Sequence, residues 1–310
     1  FALFNYVAKS AFFVNEMYRG MALTDVMQDT GNKFTYSERF RVQAMFFNPF
    51  DYGYICILLL LFNWYGYIKS FISKKRFYMI IGCCLYGIIT CGCRTNMLCC
   101  LIGVFVYVLF AFDLKKRTKY FAVCSLLGII LFSSIPFLQE KVNDILSIFD
   151  KNSSMSGSSI EMRVLQYTAV MNHVRDHFLL GRGLDYFFID MGWSEGKQYL
   201  VDQDLFGLEG VLMNYLLERG FLGICFYLFF YVYVLCFFYK HKSVDKNISA
   251  LGVSILVTYL AFANMTGELN SVFPTLLITG ICLKVLYMNI ICKKIRNKHE
   301  IQHRNPGIQS

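Results

Sequence analysis

The stretch Glu209-Gly210-Val211-Leu212-Met213-Asn214-Tyr215-Leu216-Leu217-Glu218-Arg219-Gly220-Phe221-Leu222-Gly223 decides the fold. Polar chemistry runs there directly into an apolar run that continues to residue 239. Upstream, residues 139–219 hold seven basic and twelve acidic side chains and no long apolar run. Apolar segments lie on both sides of that polar stretch. The pattern is that of a membrane protein with one large loop, and the reactive groups gather in the loop.

Composition agrees. Of the 310 residues, 56% are hydrophobic and 16% charged, and mean hydropathy is +0.46, whereas soluble domains are nearer one quarter charged. Aromatics reach 17%, as suits spans and their interfacial belts. The chain begins at Phe1, and its first fifteen residues read as the tail of a cut hydrophobic segment. It is therefore expected to be a fragment without its native start. The net charge of +9 sits in short connections beside apolar runs, so it points to membrane orientation and not to nucleic acid. Nearly all of the twelve cysteines lie inside apolar runs and none in the loop, which excludes a disulfide-stapled outer domain.

A span needs about 20 mostly apolar residues. Seven runs come close: about 52–71, 77–93, 95–112, 119–138, 221–239, 248–267 and 271–290. Alternate connections, including the tail 291–310, carry fifteen Lys and Arg against three acids, so they are expected to be cytoplasmic. The loop 139–219 then faces outward. The expected fold is an all-α polytopic bundle with one extracytoplasmic loop containing short helices. Ser158-x-x-Glu161 reads as a capping box opening a helix to about His177, stopped by Gly181-Arg182-Gly183. A second helix is expected from near Phe206 through Arg219.

The candidate chemistry follows from depth and charge. Arg94 sits in a turn between two tight spans, where an ionisable group is costly and reads as functional; the plain alternative is snorkelling to headgroups. Arg163, on the first loop helix, and Arg41, before Phe47-Asn48-Pro49, offer guanidinium forks that match phosphate oxygens. A solvated helix face would account for either alone. Arg182 in the Gly-flanked stop is a further substrate contact. Glu209, expected to begin the second loop helix, is a candidate base for a sugar hydroxyl, with Asp202 and Asp204 beside it. A carboxylate there is also stabilised by the helix dipole alone. His173-x-x-x-His177 lacks the Glu of a zincin helix, and no phosphate-cradling or dinucleotide glycine motif occurs, so neither metal nor cofactor is expected.

Taken in order, these residues resemble the O-antigen polymerase and ligase superfamily. Cys93-Arg94-Thr95-Asn96 resembles its Ser-Arg-Thr-Gly opening of a span. Arg163 with Phe178-Leu179-Leu180-Gly181-Arg182-Gly183 is similar to its Arg…Pro-Leu-Leu-Gly-x-Gly stretch. Glu218-x-Gly220-Phe221-Leu222-Gly223 is similar to its Glu-x-Gly-Leu-Leu-Gly entry into a span. Arg41…Asn48-Pro49 resembles its Arg…Asn-Pro segment. The match covers about 41–240. It implies a multi-pass glycosyltransferase of the bacterial cytoplasmic membrane with a cytoplasmic C-terminus. It implies an undecaprenyl-diphosphate-linked glycan as donor, with Arg94 and Arg163 on the diphosphate. One departure matters: the ligases carry His-Asn where this chain has Glu209-Gly210. That favours a polymerase making O-antigen, capsule or exopolysaccharide, with a ligase as the first alternative. Membrane lipids, a chain-length regulator and a flippase are the expected partners. A lipid-linked sugar transporter is the rival of another class; it would show inverted repeats and midplane polar groups, whereas here Lys284 is the main ionisable group within a span.

Overall fold

Asn48 and Pro49 start the first helix for local reasons. The Asn48 carboxamide accepts from the Phe50 N–H at 2.7 Å, and Pro49 occupies the first helical position, where its missing N–H costs nothing. In the computed structural model this helix, α1, spans Pro49–Ile68. The structure describes residues 48–113, 160–186, 210–267 and 270–304, with isolated positions at 42, 44, 46, 115, 118, 119, 203–205 and 208. The expected span 119–138 lies outside these.

Every regular element among the described residues is helical. Helix α2 runs over Lys74–Thr90 and α3 over Arg94–Ala111. The turn between them passes through Gly92 at φ 66°. Helix α4, Ile160–Val174, continues as a 3-10 turn at Arg175–His177. Helix α5 spans Val211–Lys240, α6 Lys246–Thr266 and α7 Val272–Arg304. The helix expected from Phe206 begins instead at Val211. Gly210 is its N-cap, and Gln203–Leu205 form a separate 3-10 turn. Helices α3, α5, α6 and α7 (to Arg296) are each long and apolar enough to cross a membrane.

Helix α6 is the centre of the bundle, packed against α3, α7, α5 and α1. Its small residues permit this. Ser254 donates to the Gly103 carbonyl of α3 at 2.6 Å, and a Cβ on Gly103 would lie 2.5 Å from the Thr258 hydroxyl. Gly252 leaves room for the buried Phe238 ring of α5. Lipid tails are as apolar as leucine, so close backbone approach and interhelical hydrogen bonds do the associating that hydrophobicity does in water.

Two polar layers fix the ends. At one, Asp245 caps α6 through the Asn247 and Ile248 N–H groups, accepts from Lys69 at 2.8 Å and from Asn289 at 3.3 Å. At the other, Asn96 of α3 donates to the Phe50 carbonyl of α1, and Ser271 donates to Asp51 at 2.6 Å. Between the layers α7 rises about 26 Å from Val272 to Asn289, close to the roughly 30 Å hydrocarbon core of a bilayer. The first turns of α1, α3, α5 and α7 therefore share one face, with the last turns of α2 and α6.

Candidate functional site

That shared face holds the residues of interest. Leu212, in the first turn of α5, donates its N–H to the Asn264 carboxamide of α6 at 3.2 Å, so one transmembrane helix caps another. Arg163 reaches from α4 to the same end of α6 and donates through Nη2 to the Met265 carbonyl at 3.0 Å. Carbonyls in a last helical turn lack intrahelical partners, and a cation there also opposes the helix dipole. One arm of the Arg163 fork is thus structural. The guanidinium has five N–H donors in all.

The decisive geometry is a break in α5. Gly220 has φ 64° and ψ −167°, a region open essentially to glycine alone. The break removes the helical bonds that Phe221 and Leu222 would make to Leu217 and Glu218. A neighbouring loop replaces all four groups. Phe221 and Leu222 donate to the Phe178 and Leu179 carbonyls at 2.8 and 3.2 Å, while Arg182 and Gly183 donate to the Leu217 and Glu218 carbonyls at 2.8 and 3.0 Å. Gly181, at φ 74°, lies directly against Gly220. A Cβ on Gly181 would sit 2.5 Å from the Gly220 nitrogen, and one on Gly220 would sit 2.4 Å from the Leu179 oxygen. The two glycine motifs of the sequence are therefore the halves of one backbone clasp. Stacking of Phe178 on Phe221, with centroids 5.6 Å apart, covers it.

The clasp carries α4 with it. Val170 and Val174 of α4 are fully buried with Leu216 and Leu217 of α5 and with Leu205. Arg182 donates from Nε to the His173 carbonyl at 2.6 Å, tying the loop to the end of α4. His173 meets the Tyr186 hydroxyl at 3.3 Å, which accounts for one member of the i,i+4 histidine pair.

Residues 77–228 match the family model described as O-antigen ligase, just under half of the 310 residues. The matched stretch contains α2, α3, α4 and the clasp. The match supports the likeness of this stretch to the O-antigen ligase/polymerase-like superfamily. No curated protein matches the chain. Members of this superfamily are glycosyltransferase-like enzymes, and the four helices long and apolar enough to cross a membrane agree with a multi-pass membrane protein.

On this framework the candidate residues separate. Arg94 is the first residue of α3, half-buried on the shared face, two positions before Asn96. Arg163 is half-buried on the same face through its bond to α6. Arg182 is turned to the α4 backbone. Asp204 is exposed in the 3-10 turn. Glu209, Asp202 and Arg41 lie outside the described residues. Gly210, beside Glu209, is buried, with φ 114° and room for a Cβ only 3.3 Å from the Asn264 carbonyl. Among the described residues no group of His, Cys, Asp and Glu is arranged to hold a metal ion.

Sequence reasoning passed over Asp51. It lies at the site face just ahead of the expected span, and burial pushes its carboxyl up, opposed in part by the Ser271 hydrogen bond. The Pro49-Phe50-Asp51 order was its only signal, and that reads equally well as an ordinary acidic first turn. It also passed over Arg219, whose side chain crosses Gly223 to lie 4.5 Å over the Tyr215 ring. The spacing 215, 219, 223 was the available signal, since residues four apart share a helix face.

Proposed function

We propose that the protein polymerises polyprenyl-diphosphate-linked oligosaccharide repeat units at the outer face of the cytoplasmic membrane. A sugar hydroxyl of one lipid-linked repeat attacks the anomeric carbon of another. The bond from that carbon to the diphosphate oxygen breaks, and polyprenyl diphosphate leaves. Arg94 and Arg163 neutralise the charge developing on the leaving diphosphate, helped by the positive ends of four helices on that face. Glu209 takes the proton of the attacking hydroxyl. Arg41, Arg182, Asp202 and Asp204 contact the glycans, and fixed guanidinium charge does the work a metal would otherwise do.

The observation that carries the choice of polymerase is Gly210. Its φ of 114° strains any side chain there, and an added Cβ would lie 3.3 Å from the Asn264 carbonyl, so the position disfavours the Asn of a ligase-type His-Asn pair. The family model's own description favours the ligase reading, in which the same donor chemistry serves a different acceptor. Cells carrying Arg94→Ala or Arg163→Ala are expected to lose long-chain polysaccharide while keeping the protein in the membrane. Polymerase loss leaves single capped repeats; ligase loss leaves finished polymer on the carrier lipid. Normal chain-length ladders from both variants would overturn the assignment.

A further inference from the structure

Lys284 is a cation set inside a span. It lies about 18 Å along α7 from Val272 and about 7.5 Å short of Asn289 in the Asp245 layer. Its face of the helix is turned to lipid. Ile281, Tyr287 and Met288, three or four positions away, are exposed with it, whereas Cys282 and Leu286 are fully buried in the bundle. Asn289, which donates to Asp245, is about 140° round the helix from Lys284. Lys284 is therefore turned away from the carboxylate of its own layer.

An ionisable group at this depth is costly and calls for a partner. The chain does not offer a carboxylate. None of the seven apolar runs holds an Asp or Glu, so a second copy could not supply one from a span either. At the Asp245 layer, Asp113 pairs with Lys246 and Asp245 with Lys69. Among the described residues no group pairs with Lys284. Snorkelling is poorly served as well. The Cα–Cβ bond of a helical residue tilts towards the helix N-terminus, which here points away from the nearer layer and into the hydrocarbon.

The surroundings of Lys284 suit a lipid headgroup. Helices α5 and α7 each pack on α6 and leave a slot of about 350 Å³ between them at this depth. Tyr233, Val234 and Phe237 of α5 line one wall, and Leu283, Lys284 and Tyr287 of α7 the other. Tyr233 and Tyr287 are both exposed, so each wall carries an aromatic body with a hydroxyl donor. An apolar slot with one ammonium and two phenols, just inside a membrane surface, matches a phosphodiester with acyl chains below it. An anionic headgroup fits better than a zwitterionic one, which would bring a second ammonium beside Lys284.

We propose that this slot binds one anionic phospholipid from the leaflet opposite the site face. Its phosphodiester sits on Lys284 and the Tyr287 hydroxyl, and its acyl chains run deeper past Tyr233. The slot is about a membrane thickness from the face of Arg94 and Arg163, so this lipid is neither donor nor acceptor and its binding is independent of the reaction proposed above.

The test is native mass spectrometry of the purified full chain in detergent, titrated with dioleoyl phosphatidylglycerol or dioleoyl phosphatidylethanolamine. The wild type is expected to take up one phosphatidylglycerol about tenfold or more tightly than phosphatidylethanolamine, the worth of one charge-assisted hydrogen bond. Lys284→Met, at a lipid-facing position, should insert normally and lose this preference. Lys284→Arg should keep it, and Tyr287→Phe should weaken it by less. Thermal unfolding gives a second reading: phosphatidylglycerol should raise the midpoint of the wild type and not that of Lys284→Met. Lys293→Gln combined with Lys294→Gln, at exposed positions past the layer, should leave the preference in place. Equal uptake of the two lipids by the wild type would overturn the proposal and leave Lys284 merely snorkelling. An unchanged preference in Lys284→Met, or its loss in the Lys293→Gln, Lys294→Gln protein, would overturn it in favour of general surface attraction. Displacement of phosphatidylglycerol by an equimolar single-chain isoprenoid phosphate would also overturn it.

Discussion

Gly220→Ala is the most informative single change in this molecule. The native φ of 64° with ψ −167° costs an L residue about 1–3 kcal/mol in backbone strain alone. The added Cβ would also meet the Leu179 oxygen at 2.4 Å and the Gly181 nitrogen at 2.5 Å, and both are backbone atoms that cannot swing away. The chain has a cheaper course. If α5 straightens, Phe221 and Leu222 regain helical bonds to Leu217 and Glu218. The whole penalty then falls on the loop, where the Phe178 and Leu179 carbonyls and the Arg182 and Gly183 N–H groups lose their partners at about 1 kcal/mol each. The variant should therefore insert and stay in the membrane while residues 178–183 come free. Hydrogen exchange reads this directly. Strain of about 2 kcal/mol corresponds to roughly thirtyfold faster exchange at Arg182 and Gly183, with α6 amides unchanged. Activity should fall with it, because α4 and Arg163 are held through the clasp. Gly280→Ala, where an added Cβ meets nothing, is the control and should be neutral or slightly stabilising. Unchanged protection of Arg182 and Gly183 in Gly220→Ala would refute the reasoning.

Other outcomes follow from the same contacts. Gly103→Val should separate α3 from α6 at the Ser254 and Thr258 contact and lower stability by about 1–3 kcal/mol, measured by thermal unfolding in detergent. Asp245→Ala removes the α6 cap together with the Lys69 and Asn289 contacts, so it should cost about 1–2 kcal/mol, yet leave diphosphate binding intact because it lies at the far layer. Glu209→Gln should abolish polymer formation in cells with donor binding retained; wild-type activity there would move the base to Asp51, Asp202 or Asp204.

The helical architecture was legible because the runs that became α3, α5, α6 and α7 are each long and apolar enough to cross a bilayer. The Asn48-Pro49 start of α1 was equally legible, since capping is decided by adjacent residues. The clasp was not. Gly181 looked like a helix stop and Gly220 like a glycine before a span, and only tertiary structure joins residues 39 positions apart through their backbones. Arg182 was expected to hold substrate from its charge and flanking glycines; that its Nε also ties the loop to the His173 carbonyl is something no local pattern announces. The start of α5 was expected at Phe206 because the apolar pattern begins there. The helix starts at Val211 because Asn264, 52 residues away, supplies the cap.

The central claim is that the face shared by Arg94, Arg163 and the start of α5 joins lipid-linked repeats to one another. Purified protein incubated with undecaprenyl-diphosphate-linked repeat units alone, with product length read on a gel, tests it most directly. The account predicts a ladder of products longer than one repeat from the wild type and none from Arg94→Ala or Arg163→Ala. A wild-type reaction that yields no product longer than the input, yet transfers glycan once a lipid A core acceptor is added, would contradict it.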